Sequence, residues 1–114
     1  MQIYTDLSEA LIQPNQVQFL DLSDQNLIKI PDDIFQLTNL TQLGLGNNQI
    51  SEIPPKLCQL NNLTQLDLWG NRISKIPPEI GQMTNLTTLG LASNQISVIP
   101  PEIGNLINLT NLNL

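Results

Sequence analysis

The chain has 114 residues, which is the size of a single domain and predicts no second, catalytic domain. Ten Asp and Glu against four Lys and Arg give a formal net charge of −6, which disfavours nucleic-acid and anionic-membrane partners and favours a neutral or basic protein. The sequence has one cysteine and no histidine, so we expect no disulfide within the chain, no metal, no cofactor and no catalytic residue.

Residues 1–16 are predicted to form an N-terminal capping segment. Asp6 and Glu9 have the spacing of a capping box, and Pro14 closes the segment. The apolar positions between them share one helical face: Leu7, Ala10 and Leu11. This pattern predicts a short amphipathic helix that covers the N-terminal end of a core. The segment has no apolar run of signal-peptide length, and no 18 apolar residues follow one another anywhere in the chain, so we expect no membrane insertion.

From residue 17 onward the sequence repeats itself every 23 residues without insertion or deletion. The second, third and fourth units fit the pattern L-x-x-L-x-L-x-x-N-x-I-x-x-I-P. The first departs from it, because Gln25 stands where Asn is expected and Asn26 is one place late, which predicts a looser turn. Residues 17–114 are therefore predicted to form one repeat domain, with four full units and a partial fifth: 17–39, 40–62, 63–85, 86–108 and 109–114.

Each unit is predicted to contribute one short strand and one returning leg. Pairs such as Leu43 and Leu45 have the period-two spacing of a strand with one buried face, and stacked units would place five such strands in a parallel sheet. Proline fixes φ and removes a donor, so the Ile-Pro-Pro legs should be extended or short 3₁₀ segments. The predicted fold is an α/β solenoid: a right-handed superhelix with a concave parallel sheet, convex extended or 3₁₀ legs and the N-terminal helix.

These residues resemble the 23-residue class of leucine-rich-repeat proteins over residues 17–114. The stretch 4–27, with Asp6-Leu7, Ala10-Leu11, Pro14 and Leu20-Asp21-Leu22-Ser23, further resembles the start of exported leucine-rich-repeat proteins of pathogenic spirochaetes. That second resemblance implies a surface or secreted protein that binds host or cell-surface partners. The repeats from Leu40 onward are equally similar to arrays in bacterial multidomain signalling proteins, which implies a cytoplasmic location instead.

The outward positions of the predicted strands are the candidate partner-binding surface. Its members lie on the concave face or at its rim: Phe19, Asp21, Gln42, Gln65, Asp67, Trp69, Arg72 and Thr88. Trp69 has small neighbours in its row and is either an exposed binding anchor or a ring lying flat on nearby glycines. Asp21 and Asp67 are expected about 10 Å apart, two strand spacings, as solvated carboxylates or as acceptors for Lys or Arg of a basic partner, with Arg72 helping to set register.

Three features are predicted to be structural. An asparagine ladder is expected to satisfy backbone groups where the chain leaves each strand: Asn48, Asn71 and Asn94. The triplet Asn-Leu-Thr recurs at Asn39, Asn62, Asn85 and Asn108, and although it is formally a glycosylation signal, the repeat accounts for its spacing. Cys58 falls on a convex leg with no histidine to activate it, so a catalytic thiol is not expected.

The predicted function is non-enzymatic protein–protein interaction on the concave face. Two alternatives remain at this stage. The last strand, 109–114, has no cap in the sequence, so the chain is either a self-assembling unit that forms a homodimer through this edge or a fragment of a larger intracellular signalling protein.

Overall fold

The computed structural model describes residues 2–114, and Met1 of the predicted capping segment 1–16 lies outside them. The described residues form six short strands, one helix and five 3₁₀ turns. The strands are β1 Ile3–Tyr4, β2 Phe19–Asp21, β3 Gln42–Gly44, β4 Gln65–Asp67, β5 Thr88–Gly90 and β6 Asn111–Asn113. The helix α1 is Leu7–Ala10, and the 3₁₀ turns are Pro14–Gln16, Asp32–Gln36, Pro55–Gln59, Pro78–Gln82 and Pro101–Asn105.

The strands form one parallel sheet in chain order from β1 to β6. Phe19 pairs with Gln42 and Asp21 with Gly44, and the same register repeats at each later pair of strands. A constant repeat of 23 residues imposes this register, because every unit places its strand at the same height. The parallel solenoid predicted from the sequence is therefore confirmed.

The N-terminal segment differs from the prediction in three ways. It supplies a sixth strand, β1, which pairs with β2 through Ile3 and Tyr4, whereas the repeat predicted five. Two residues are too few to produce a period-two pattern, so no strand was predicted there. The helix is a single turn, and Pro14 begins a 3₁₀ turn rather than simply closing the segment.

The single helical turn nevertheless caps the core. The Asp6 carboxylate accepts hydrogen bonds from the backbone N–H groups of Ser8, at 2.8 Å, and Glu9, at 3.4 Å, as an N-cap residue does. Ala10 is fully buried at the end of the core. No helix within residues 2–114 is long and apolar enough to cross a membrane.

The core lies between the sheet and the returning legs. Alternate strand residues point into it, so Leu20, Leu43, Leu66 and Leu89 stack as one buried column. Burial of each leucine side chain contributes about 2 kcal/mol. The second proline of each Ile-Pro-Pro leg takes the first position of a 3₁₀ turn, where a missing N–H costs no intrahelical bond. The predicted 3₁₀ legs are therefore present.

Asparagine side chains join neighbouring turns at the exit of the strands. Asn71 donates to the carbonyls of Leu45, Leu68 and Trp69 at 3.0–3.2 Å and accepts from the Ile50 N–H at 3.0 Å. Asn48 and Asn94 make equivalent bonds one turn earlier and one turn later. In the first unit, the side chain of Gln25 instead reaches back to the carbonyl of Thr5 at 3.0 Å.

The Asn-Leu-Thr triplets form two more rows of bonds at the entry to the strands. Asn62 donates to the Thr38 carbonyl at 3.0 Å, and Thr64 donates through its hydroxyl to the Thr41 carbonyl at 3.1 Å. The same bonds recur in the other units, at Asn39, Asn85, Asn108, Thr41, Thr87 and Thr110. The triplet thus makes bonds between turns, which gives its spacing a physical reason.

Candidate binding site on the concave sheet

A groove of about 770 Å³ runs across the outward face of strands β2 to β6 and is called the concave groove below. Seven of the eight predicted binding residues line it: Phe19, Asp21, Gln42, Gln65, Asp67, Trp69 and Thr88. They meet there because the common register places each pair of outward residues side by side. Between them the floor is low, since Gly44, Gly46, Gly90 and Ala92 present little or no side chain.

Arg72 is the predicted residue that the fold does not bring into the groove lining. It follows Asn71 in the turn beyond β4, where its side chain is exposed and its backbone N–H donates to the Ile50 carbonyl at 2.8 Å. Its role in setting partner register stays a prediction.

Asp21 and Asp67 hold equivalent positions in β2 and β4. Each carboxylate is oriented by the backbone two residues later: Asp21 Oδ1 accepts from the Ser23 N–H at 3.1 Å and hydroxyl at 2.7 Å, and Asp67 Oδ1 accepts from the Trp69 N–H at 3.1 Å. Each also leans over a glycine of the next strand. A β-carbon on Gly44 would lie 3.0 Å from Asp21 Oδ1, and the equivalent atom on Gly90 would lie 2.9 Å from Asp67 Oδ1.

The sole tryptophan of the chain leans in the opposite direction. Its pyrrole edge lies over Gly46, two residues after β3, where an added β-carbon would be 2.4 Å from Trp69 Nε1 and 2.7 Å from Cδ1. Because real β-carbons do not approach so closely, only glycine at position 46 accommodates this ring placement. The side chain remains 46% exposed. The ring thus covers a glycine, as one interpretation of Trp69 predicted, and it also offers exposed aromatic surface. Its role as a binding anchor stays a prediction.

Asp24 is a groove residue that the sequence interpretation did not single out. It follows β2, has a φ of 60°, and accepts a hydrogen bond from the Asn47 side chain. The equivalent residues Asn47, Gly70 and Ser93 also have positive φ. Asp, Asn and Gly tolerate the left-handed conformation best, so their recurrence at 23-residue intervals was the available signal. Asn26 adds a second left-handed residue to the turn of the first unit, with a φ of 56°.

The groove is acidic. Asp21, Asp24 and Asp67 line it, and its lining within residues 2–114 contains no Lys or Arg. The described residues hold no group of three His, Cys, Asp or Glu side chains that could bind a metal ion. The groove therefore presents hydrogen-bond acceptors, negative charge and two aromatic side chains, Phe19 and Trp69, to a ligand.

Cys58 lies on the opposite side of the molecule. Its thiol is fully buried, in the 3₁₀ turn of the second unit. Burial, and secondly the charge of Glu79, raises its pKa from 9.0 to about 11. Because the reactive species is the thiolate, this environment makes Cys58 unreactive at neutral pH.

A leucine rich repeat sequence model matches the chain twice, over residues 15–73 and 61–114. A leucine-rich-repeat protein of Leptospira interrogans is similar over 100% of this chain, with 37% identity and a TM-score of 0.76. The BIR2 ectodomain of Arabidopsis thaliana is similar over 82% of the chain, with 33% identity and a TM-score of 0.75. No curated protein sequence matches the chain.

A third similar structure was determined with a bound partner. The ectodomain of the Arabidopsis membrane receptor kinase GASSHO1/SCHENGEN3, in complex with CASPARIAN STRIP INTEGRITY FACTOR 2, is similar over 74% of this chain, with 38% identity and a TM-score of 0.67. The chain spans 35% of the Leptospira protein, 52% of the BIR2 ectodomain and 11% of the GASSHO1 ectodomain. These findings confirm the predicted resemblance, including that to a spirochaete protein.

Proposed function

The chain belongs to the leucine-rich-repeat family, and we propose that it is a non-enzymatic module that binds a partner protein in the concave groove. The observation that carries this proposal is the placement of Trp69, which is 46% exposed in the middle of the groove with glycine and alanine as its row neighbours. Tryptophan often carries a large share of the binding energy at protein interfaces. The complex of the similar GASSHO1 ectodomain supports a protein partner.

The partner surface is proposed to be neutral or basic. Three aspartates line the groove, and the chain carries a net charge of −6, so a basic surface is attracted and a nucleic acid is repelled. Asp21 and Asp67 are proposed to accept hydrogen bonds from such a surface, because their carboxylates lie over glycines of the groove floor.

The site of action is proposed to be the cell surface or the exterior of the cell. Similarity to the two Arabidopsis ectodomains supports this location. Fractionation of the source cells tests it, and recovery of the native protein solely from the cytosol would contradict it.

Site-specific photo-crosslinking tests which face binds. A benzoylphenylalanine at Gln65 lies in the groove, and the same residue at Gln59, exposed on a convex 3₁₀ turn, is the matched control. The native full-length protein carrying either residue is irradiated with extracellular proteins from its natural surroundings. We expect a discrete adduct from position 65 and none from position 59. Equal adducts from both positions, or adducts from position 59 alone, would contradict the proposal.

Calorimetry with the partner identified in that adduct then measures the contribution of the groove. We expect Trp69→Ala to weaken binding by about thirtyfold, the ratio that corresponds to about 2 kcal/mol for a residue central to an interface. The double variant Asp21→Lys, Asp67→Lys should weaken binding to a basic partner as well. Unchanged affinity in both variants would refute the groove as the binding site.

Light scattering of the free chain tests the self-assembling alternative, which requires the measured mass to double as the protein concentration rises.

A further inference from the structure

We propose that the part of the concave groove between the Asp21 carboxylate, where it covers Gly44, and the ring of Trp69 receives an arginine side chain of the partner; it is called the Gly44 slot. The inference rests on the proposed function and adds to it the chemical group that is recognised. Asp21 of β2, Gln42 of β3 and Trp69, two residues after β4, all line the groove at this point.

Two side chains from neighbouring turns cover the two glycines of the second unit. The Asp21 carboxylate leans from β2 over Gly44, and the ring of Trp69, two residues after β4, lies over Gly46, two residues after β3. Gly44 and Gly46 are successive outward positions, about 7 Å apart. A carboxylate and an aromatic ring therefore cover neighbouring positions of the groove floor.

The carboxylate is already oriented for a ligand. Asp21 is half-buried, and its Oδ1 accepts two hydrogen bonds from Ser23, at 3.1 and 2.7 Å. Within residues 2–114, its Oδ2 makes no hydrogen bond. A ligand donor thus meets a fixed acceptor and causes little further loss of side-chain freedom.

The negative charge of the groove favours a cationic ligand group, and the indole ring favours a planar one. Three carboxylates and no basic side chain line the described groove. A guanidinium is planar, stacks on indole and donates to a carboxylate through a fixed fork of N–H groups, whereas an ammonium is a compact and strongly hydrated charge. Arginine therefore satisfies both walls of the slot at once, and lysine satisfies mainly the carboxylate.

The space above Gly90 provides an internal comparison. There Asp67 leans over a glycine at nearly the same distance, 2.9 Å against 3.0 Å for Asp21 and Gly44. The outward residue beside Gly90 is Ala92, however, and no aromatic ring covers it. The two positions share a carboxylate above a glycine and differ in the neighbouring ring, so the slot is assigned to Gly44 and not to Gly90.

The test uses three acetylated, amidated tripeptides as probes: Gly-Arg-Gly, Gly-Lys-Gly and Gly-citrulline-Gly. Trp69 is the only tryptophan of the chain, so its fluorescence and its indole N–H resonance report on the surroundings of this one ring. The arginine probe should shift both signals saturably. The lysine probe should bind about threefold more weakly because it loses stacking, and the uncharged citrulline probe about tenfold more weakly.

Variants then locate the interaction. Gly44→Leu displaces the Asp21 carboxylate and should abolish the response to the arginine probe. Gly104→Leu lies on the convex side, where an added β-carbon meets nothing within 4 Å, and should leave the response within about twofold. Asp21→Asn keeps the size of the side chain, removes its charge, and should weaken the arginine probe about fivefold. It also serves if Gly44→Leu fails to fold, which circular dichroism would reveal.

The inference is overturned if the arginine probe gives no saturable response, if citrulline matches it, or if neither Gly44→Leu nor Asp21→Asn weakens it. Adducts from position 65 of the groove together with any of those results would refute the arginine slot and leave the proposed function standing. Saturable binding of the arginine probe, together with adducts from position 59 alone, would refute the proposed function and leave the arginine slot standing.

Discussion

Replacing Asn71 by alanine should destabilise the protein by about 3 kcal/mol. The side-chain amide now donates to the carbonyls of Leu45, Leu68 and Trp69 and accepts from the N–H of Ile50. Two N–H groups and one oxygen sustain about three hydrogen bonds at once, and each contributes about 1 kcal/mol net. Asn71 is 7% exposed, so water has little access to the groups left unpaired, and their desolvation adds to the cost.

The matched control is Asn94→Ala. Asn94 makes the equivalent bonds one unit later in the chain, to its own turn and the preceding one, but it is half-exposed, so water partly replaces the lost amide. We expect a loss of about 1 to 2 kcal/mol there. Urea unfolding followed by both circular dichroism and Trp69 fluorescence measures the two values, and coincidence of the two transitions establishes that a single free energy of unfolding is defined.

A loss below about 0.5 kcal/mol for Asn71→Ala would refute the reasoning, because it would mean that the bonds between turns contribute almost nothing net. An equal loss for both variants would refute the part of the argument that depends on burial. Since domains of this kind are stable by about 5–15 kcal/mol, the predicted loss is a large fraction of the total.

Two further predictions concern the convex side. A β-carbon on Gly81 would lie 3.1 Å from the Glu102 carbonyl oxygen, whereas one on Gly104 would meet nothing within 4 Å. Gly81→Ala should therefore lower the free energy of unfolding by about 1 kcal/mol, and Gly104→Ala by less than about 0.5 kcal/mol. Thermal unfolding of the pair measures the difference, and equal stabilities would contradict the crowding. The pKa of the Cys58 thiol is 9.0 in the unfolded chain and is raised to about 11 in the folded chain. The protonated thiol therefore favours the folded state below pH 9, and this contribution is lost as the pH rises from 9 to 11. Urea unfolding over that range should show a loss on the order of 2 kcal/mol that Cys58→Ala lacks, and parallel pH profiles for the two proteins would refute it.

The sequence sufficed for the repeating part of the fold because each unit carries the same strong signals. Leucine periodicity fixed the strands, the Ile-Pro-Pro legs fixed the 3₁₀ turns, and constant spacing fixed the register. The N-terminal strand was not predicted because Ile3 and Tyr4 lie outside the repeat and form a strand only by pairing with β2. Tertiary contact, rather than local pattern, creates that element.

The site was predictable by position and not by conformation. Register alone placed Asp21, Asp67 and Trp69 on one face. It did not say that the carboxylates lean toward the following strand and the ring toward the preceding one, because those directions depend on side-chain rotamers and on where glycine leaves room. The contribution of Asp24 likewise depends on a turn conformation, its positive φ, that becomes recognisable when the equivalent residues of other units are compared.

The bonds between turns have a consequence for how such a protein changes over generations. The side chains of Asn62, Thr64 and Asn71 bond to backbone groups 24, 23 and 26 residues earlier, and the other units repeat these separations. Excision or duplication of one whole unit gives each of these side chains an equivalent partner. Gain or loss of a single residue instead misaligns every hydrogen bond between turns that spans the change. Gene rearrangement can therefore lengthen or shorten the array in steps of 23 residues and widen the groove by one strand at a time, while the chemistry that holds neighbouring turns together stays the same.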